Sequence, residues 1–123
     1  MRFHTRELIK NLEENLQNSY SLPIFKGYKA INKRGVEKLI DQIYATLPHD
    51  VQKAREFLRA RQYDYTPQNN TTYETLQNIE NTLDEGFPFA QTVILNIREL
   101  EKLLEQLQNN LPIEITKAEN LSK

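Results

Sequence analysis

Six apolar residues, Val93, Ile97, Leu100, Leu104, Leu107 and Leu111, advance by steps of 4, 3, 4, 3 and 4. A stripe of that period lies on one face of an α-helix, and over about three heptads it reads as a coiled-coil seam or the inner face of a bundle helix. It predicts a helix from Ala90 to about Asn110, closed by Pro112. Ile94 and Leu103 widen the stripe beyond a two-stranded seam, which favours a bundle helix with several neighbours. Residues 112–123 are expected to form a tail.

The rest of the chain follows the same period. Leu8, Ile9, Leu12 and Leu16 predict a helix over 5–19. Val36, Leu39, Ile40, Ile43, Tyr44 and Leu47 predict one over 36–47. Pro48 disfavours helical geometry at Leu47, so a new helix is expected over 48–63, with Val51, Ala54, Phe57 and Leu58 inward. Residues 64–71 are polar and aperiodic and read as a loop. Leu76, Ile79 and Leu83 predict a helix over 72–85, capped by Thr72 and ended by Gly86 in the left-handed conformation. Phe87–Phe89 reads as a tight apolar corner. Residues 21–35, with Pro23 and Gly27, read as a loop holding one or two short extended pieces. The sum is one all-α domain, a helical bundle of four to five helices with a long C-terminal heptad-patterned helix.

Several chemistries lack their residues. There is no cysteine, which removes disulfides, thiolate metal sites and thiol nucleophiles. Neither His4 nor His49 has a Glu three residues before it, as a di-metal bundle would want. No Gly-rich phosphate loop, HExxH or nucleophile elbow occurs. The acidic pairs Glu13–Glu14 and Asp84–Glu85 read as solvated surface. The expectation is a protein without catalysis, cofactor or metal. No apolar run approaches the ~20 residues of a membrane span, and the N-terminal stretch lacks an apolar signal core, so a cytoplasmic or membrane-peripheral location is expected.

Charge is divided unevenly. Residues 1–62 hold 12 Lys/Arg and 7 Asp/Glu, and residues 63–123 hold 4 and 10. The opposite halves attract within the fold or between copies, or the first half receives an anion. The basic and aromatic stretch at 21–35 is the candidate surface: Phe25, Lys26, Tyr28, Lys29, Lys33 and Arg34, with Arg55 and Arg59 adjoining if the fold brings them near. Aromatic and Arg side chains are the usual anchors of protein interfaces. The expected partner is another protein, with self-association through the heptad seam. Alternatives are an anionic membrane and, behind it, nucleic acid. Lysines among aromatics suit single strands, but five charges over 13 residues is dilute and the pI is about 6.1.

The stretch LPIFKGYKAINKRGVEKLIDQIYATLPHDVQKAREFL (22–58) resembles a bacterial family of small helical proteins likened to the ATP-synthase b subunit and to the cell-division protein DivIVA. The shared pattern is Pro23, Gly27, an amphipathic helix ending in Leu47–Pro48, and Ala54 inward on the next helix. Phe25-Lys26, Gly27-Tyr28 and Val36 with Leu39-Ile40 are similar to the membrane-binding end of DivIVA. That resemblance implies an exposed Phe in lipid beside cations on anionic headgroups. The chain departs in the extra residues before Val36 and in the interruption at 63–72, where DivIVA continues as coiled coil. Neither likeness implies catalytic residues.

Overall fold

The computed structural model describes residues 3–66 and 71–123. The Ile9, Leu12 and Leu16 stripe makes α1 (His4–Gln17), whose first turn is held by a buried carboxylate. Thr5 donates its backbone N–H (2.8 Å) and its hydroxyl to Asp50 Oδ2. An anion at a helix N-terminus also suits the macrodipole. A hairpin follows, β1 (Tyr20–Ser21) and β2 (Tyr28–Ile31), and then α2 (Lys33–Ala60). The same order recurs: α3 (Thr72–Glu85), β3 (Phe87–Phe89), β4 (Thr92–Asn96), α4 (Ile97–Asn109), and finally α5 (Ile113–Leu121). The four strands form one antiparallel sheet in the order β1-β2-β4-β3.

The molecule is an α-β-β-α unit repeated about a pseudo-two-fold axis. A shift of 64 residues carries β2 onto β4, and maps the Lys29–Leu95 pair onto Val93–Ile31. Ala30 and Ile94, equivalents of one another, lie opposite each other at the centre. The sequence repeats with the structure. Asn32/Asn96, Arg34/Arg98, Glu37-Lys38-Leu39/Glu101-Lys102-Leu103, Gln42/Gln106, Leu47-Pro48/Leu111-Pro112 and Lys53-Ala54/Lys117-Ala118 coincide at a shift of 64. Thr5/Thr72, Glu7/Glu74, Asn11/Asn78, Glu13/Glu80 and Leu16/Leu83 coincide at 67. The longer loop between β1 and β2 absorbs the difference of three. Side-chain contacts repeat as well. Glu13 of α1 accepts a hydrogen bond from Gln108 of α4, and Glu80 of α3 is hydrogen-bonded to the equivalent Tyr44 of α2.

The five helices meet the expectation of a mostly helical chain, but the sheet departs from the all-α part of it. Residues 90–96, read as the start of the long helix, form a turn and β4. Thr92, Val93, Ile94 and Leu95 are a β-branched and apolar run, and Val93 and Leu95 are buried while Ile94 between them is half-exposed, the period of a strand. The step from Val93 to Ile97 matches a heptad only by coincidence, because it crosses from strand to helix. The whole seam from Val93 to Leu111 lies in one core cluster with Ile9, Leu12, Ile40 and Leu83, so it packs within the chain rather than between chains.

Two further expectations fail near the prolines. α2 is one helix of 28 residues with Pro48 inside it, not two helices. Its buried stripe keeps helical period across the proline, through Ile40, Ile43, Leu47, Asp50, Ala54 and Phe57. Packing along that stripe outweighs the ~3 kcal/mol an internal proline costs. In the second repeat the equivalent Pro112 stands at a real break, and residues 113–121 form α5 instead of a tail. Ile115 and Ala118 of α5 pack with Leu47, Ala54 and Leu58 of α2 and with Phe3 in a second cluster. Gly86 is extended (φ −70°, ψ 161°) rather than left-handed. It is required for space, since a Cβ there would overlap the Val93 side chain.

Candidate docking face

Side chains alternate across a strand, so the inward course of Ile31, Val93 and Leu95 fixes what the other face of the sheet carries. The pairing Tyr20↔Ala30, Ala30↔Ile94, Ile94↔Phe87 draws one row straight across all four strands on the outer face. Phe89, opposite Thr92, and Tyr28, opposite Asn96, flank it. Tyr20 and Phe87 are each 67% exposed, Phe89 63% and Tyr28 40%. Ala30 and Ile94 are half-buried beneath them. Of the large apolar side chains that are exposed, Tyr20, Ile24, Phe25, Tyr28, Phe87 and Phe89 lie on this face or its rim; among the described residues only Tyr73 and Leu121 lie elsewhere.

The β1–β2 hairpin forms one rim. Phe25 packs edge-on to Tyr28 with ring centroids 6.3 Å apart. Gly27 between them has φ +84°, a conformation only glycine adopts without strain, and its carbonyl accepts from Ile97 N–H at 2.9 Å. The loop tip is thereby tied to the start of α4. Lys26 is exposed at that tip. On the other rim a cleft of about 340 Å³ is lined by Tyr28, Phe87, Ile94, Glu85 and Glu99.

The predicted residues separate into four groups. Phe25, Lys26 and Tyr28 face solvent together at the sheet. Lys29 and Lys33 are engaged within the chain. Lys29 Nζ donates to the Gln17 carbonyl at the end of α1 (2.9 Å), where the helix dipole favours a cation. Lys33 Nζ meets Asp84 Oδ1 at 2.8 Å, and that hydrogen bond raises the ammonium pKa above its usual value, with the charges of Asp84 and Glu37 adding. Arg34 is exposed in the first turn of α2.

Arg55 and Arg59 do not adjoin the loop. Arg55 lies 22 residues beyond Lys33 on the same helix, about 33 Å at 1.5 Å per residue. It borders instead a cleft of about 420 Å³ between α2 and the α4–α5 break, with Leu47, Tyr73, Pro112 and Glu114. Arg59 follows in the last turn of α2.

Tyr20, Phe87, Phe89 and Ile94 escaped the sequence reading. For Phe87, Phe89 and Ile94 the signal was the FPF-x-x-TVILN spacing, aromatic residues two apart beside a β-branched run, which reads as a hairpin once the turn is placed at Ala90–Gln91. Among the described residues no helix is long and apolar enough to cross a membrane. No family model, curated protein or solved structure matches the chain, and the likenesses given above stand on the quoted residues alone.

Proposed function

We propose that the chain is a non-enzymatic protein–protein interaction module that docks a partner on the outer face of its sheet. The observation that carries this reading is the aromatic row Tyr20–Ala30–Ile94–Phe87, with Phe89, Tyr28 and Phe25 around it. Contiguous apolar surface of several hundred Å² rimmed by polar groups marks interaction sites, and aromatic side chains supply most of their affinity. The sheet's edges suit face docking rather than strand addition. β1 has two residues, and β3 carries Pro88 in its centre.

A photo-crosslinking residue at position 87, compared with one at the exposed Lys102 of α4, tests the reading in cells. Protein adducts formed at 87 well above those at 102 support it. Equal yields at the two positions sink it.

A second reading rests on the hairpin tip. Ile24 is 85% exposed beside Phe25 and Lys26, the pairing of apolar and cationic groups that enters anionic bilayers. Flotation with phosphatidylserine vesicles at low salt, lost on Phe25→Ser, would support it; protein remaining at the bottom of the gradient would end it.

A further inference from the structure

The charge around the docking face says what it fits, and this step rests on the docking reading above. The stretch from Tyr20 to Arg34 carries Lys26, Lys29, Lys33 and Arg34 and no carboxylate. The stretch from Asp84 to Glu99 carries Asp84, Glu85 and Glu99 against Arg98 alone. Lys29 is engaged with the Gln17 carbonyl and Lys33 with Asp84, so the exposed charges that remain are Lys26 and Arg34 on one half of the sheet and Glu85 and Glu99, beside Arg98, on the other, with an apolar row between. We infer that the occupant is a second copy of this chain, packed face to face about a two-fold axis that runs along the strands.

That axis lays β1–β2 of one copy over β3–β4 of the other, and does so twice. It sets the basic rim on the acidic rim at both sides. A two-fold axis across the strands would instead stack like on like. The β1–β2 loop and the C-terminal end of β4 lie at the same end of the sheet, because Gly27 O is bonded to Ile97 N–H. Lys26 of each copy then stands over Glu99 and Glu85 of the other. The attraction between the halves is already realised once inside the chain, in the Lys33–Asp84 pair.

The area is adequate for a modest dimer. Five exposed or half-exposed aromatic side chains, at ~200 Å² each and scaled by exposure, offer about 600 Å² per copy before the rim is counted. A standard interface takes about 800 Å² per partner. Two four-stranded sheets stacked this way form a sandwich with the usual spacing of about 10 Å.

Sedimentation of the full chain from about 1 to 500 μM tests the inference over the range such an area supports. A reversible monomer–dimer equilibrium is expected. Phe87→Ser, at an exposed position, should weaken it about tenfold or more while circular dichroism stays unchanged. Lys26→Glu and Glu99→Lys should each weaken it severalfold, and the two together in one chain should restore it. A strict monomer at the highest concentration overturns the inference, as does a dimer indifferent to Phe87→Ser and to the charge exchange. The crosslinking arm separates the two readings. An adduct at position 87 of twice the 14.5 kDa chain mass supports the second copy. Adducts of other masses alone overturn it and leave the docking face standing, and no adduct removes both.

Discussion

α2 and the α4–α5 pair begin from equivalent sequence and part at the same dipeptide. Leu47–Pro48 lies within a continuous helix, while Leu111–Pro112 separates two. Proline is thus not what decides. The residues before it differ: Ala45–Thr46 in the first repeat, Asn109–Asn110 in the second. Ala is the best helix former, and Asn favours termini and turns. Thr46 Oγ1 donates back into its own helix at the Ile43 carbonyl, whereas the Asn110 carbonyl accepts from Thr72 Oγ1 of α3 at 2.7 Å. A neighbouring helix captures the group that would have continued the ladder. The break then lets Ile115 and Ala118 cover the second half of α2.

The largest effect should show that the repeats share one core despite this difference. Ile43 and Leu107 are equivalents, both fully buried in the same cluster. Ile43→Ala and Leu107→Ala should each destabilise by about 2–5 kcal/mol in a single transition. Separate transitions by circular dichroism and tyrosine fluorescence would show two cores instead.

The prolines come next. Pro48→Ala restores a missing ladder bond and should stabilise by about 2 kcal/mol in chemical denaturation, after allowing for the looser unfolded chain. Pro112 sits at the N-cap of α5, outside any ladder, so Pro112→Ala should change stability by less than about 1 kcal/mol. Equal responses would mean the proline itself makes the break.

The helix starts are a closer match. Asn32 Oδ1 accepts from Gly35 N–H at 3.1 Å, and Asn96 Oδ1 accepts from Arg98 N–H at 3.0 Å. Asn32→Ala and Asn96→Ala should each lose about 1 kcal/mol in thermal or urea unfolding. A loss at one site alone would show that the two caps are not equivalent in energy.

The smallest effect separates Tyr44 from its equivalent Gln108. Burial, with the hydrogen bond to Glu80 and nearby charge adding, pushes the Tyr44 phenol up to about 12. The unfolded phenol ionises near 10, so stability is intact below that pH and falls as pH rises towards 12. Tyr44→Phe should show a shallower fall in that window than the wild type. Identical pH profiles for the two proteins would remove Tyr44 from the cause.

The helices were legible because each carries its own apolar stripe. α1 and α3 were placed within two residues of their bounds, and the first half of α2 needed only Val36, Ile40, Ile43 and Leu47. The sheet was not, because its strands are short and their partners lie far off in sequence. Ile94 sits beside Ala30 only through a register that no local pattern reveals. The turn signals Pro23 and Gly27 marked the stretch around Phe25 and Tyr28 as a loop, but whether these rings point outward or cap the helices was not legible, because that depends on the sheet they stand on. Arg55 was misplaced because a helix end at Leu47 would have let the chain turn back. The repeat itself was open to inspection, but compensating changes such as Tyr44 for Gln108 and the different loop lengths blur it.

Two identical subunits cannot differ from each other: every substitution appears on both sides of the axis. Joining the repeats in one chain lifts that restriction. The equivalents of Lys33 and Asp84 are Ile97 and Gln17, so an ion pair stands on one side of the molecule and, on the other, an apolar and an amide side chain that line a cleft. The molecule is in effect a heterodimer whose subunits are always present at equal amounts and held at the high local concentration of a short tether. That arrangement is what allows the halves to drift to opposite charge, and it gives an otherwise symmetric sheet a distinguishable left and right.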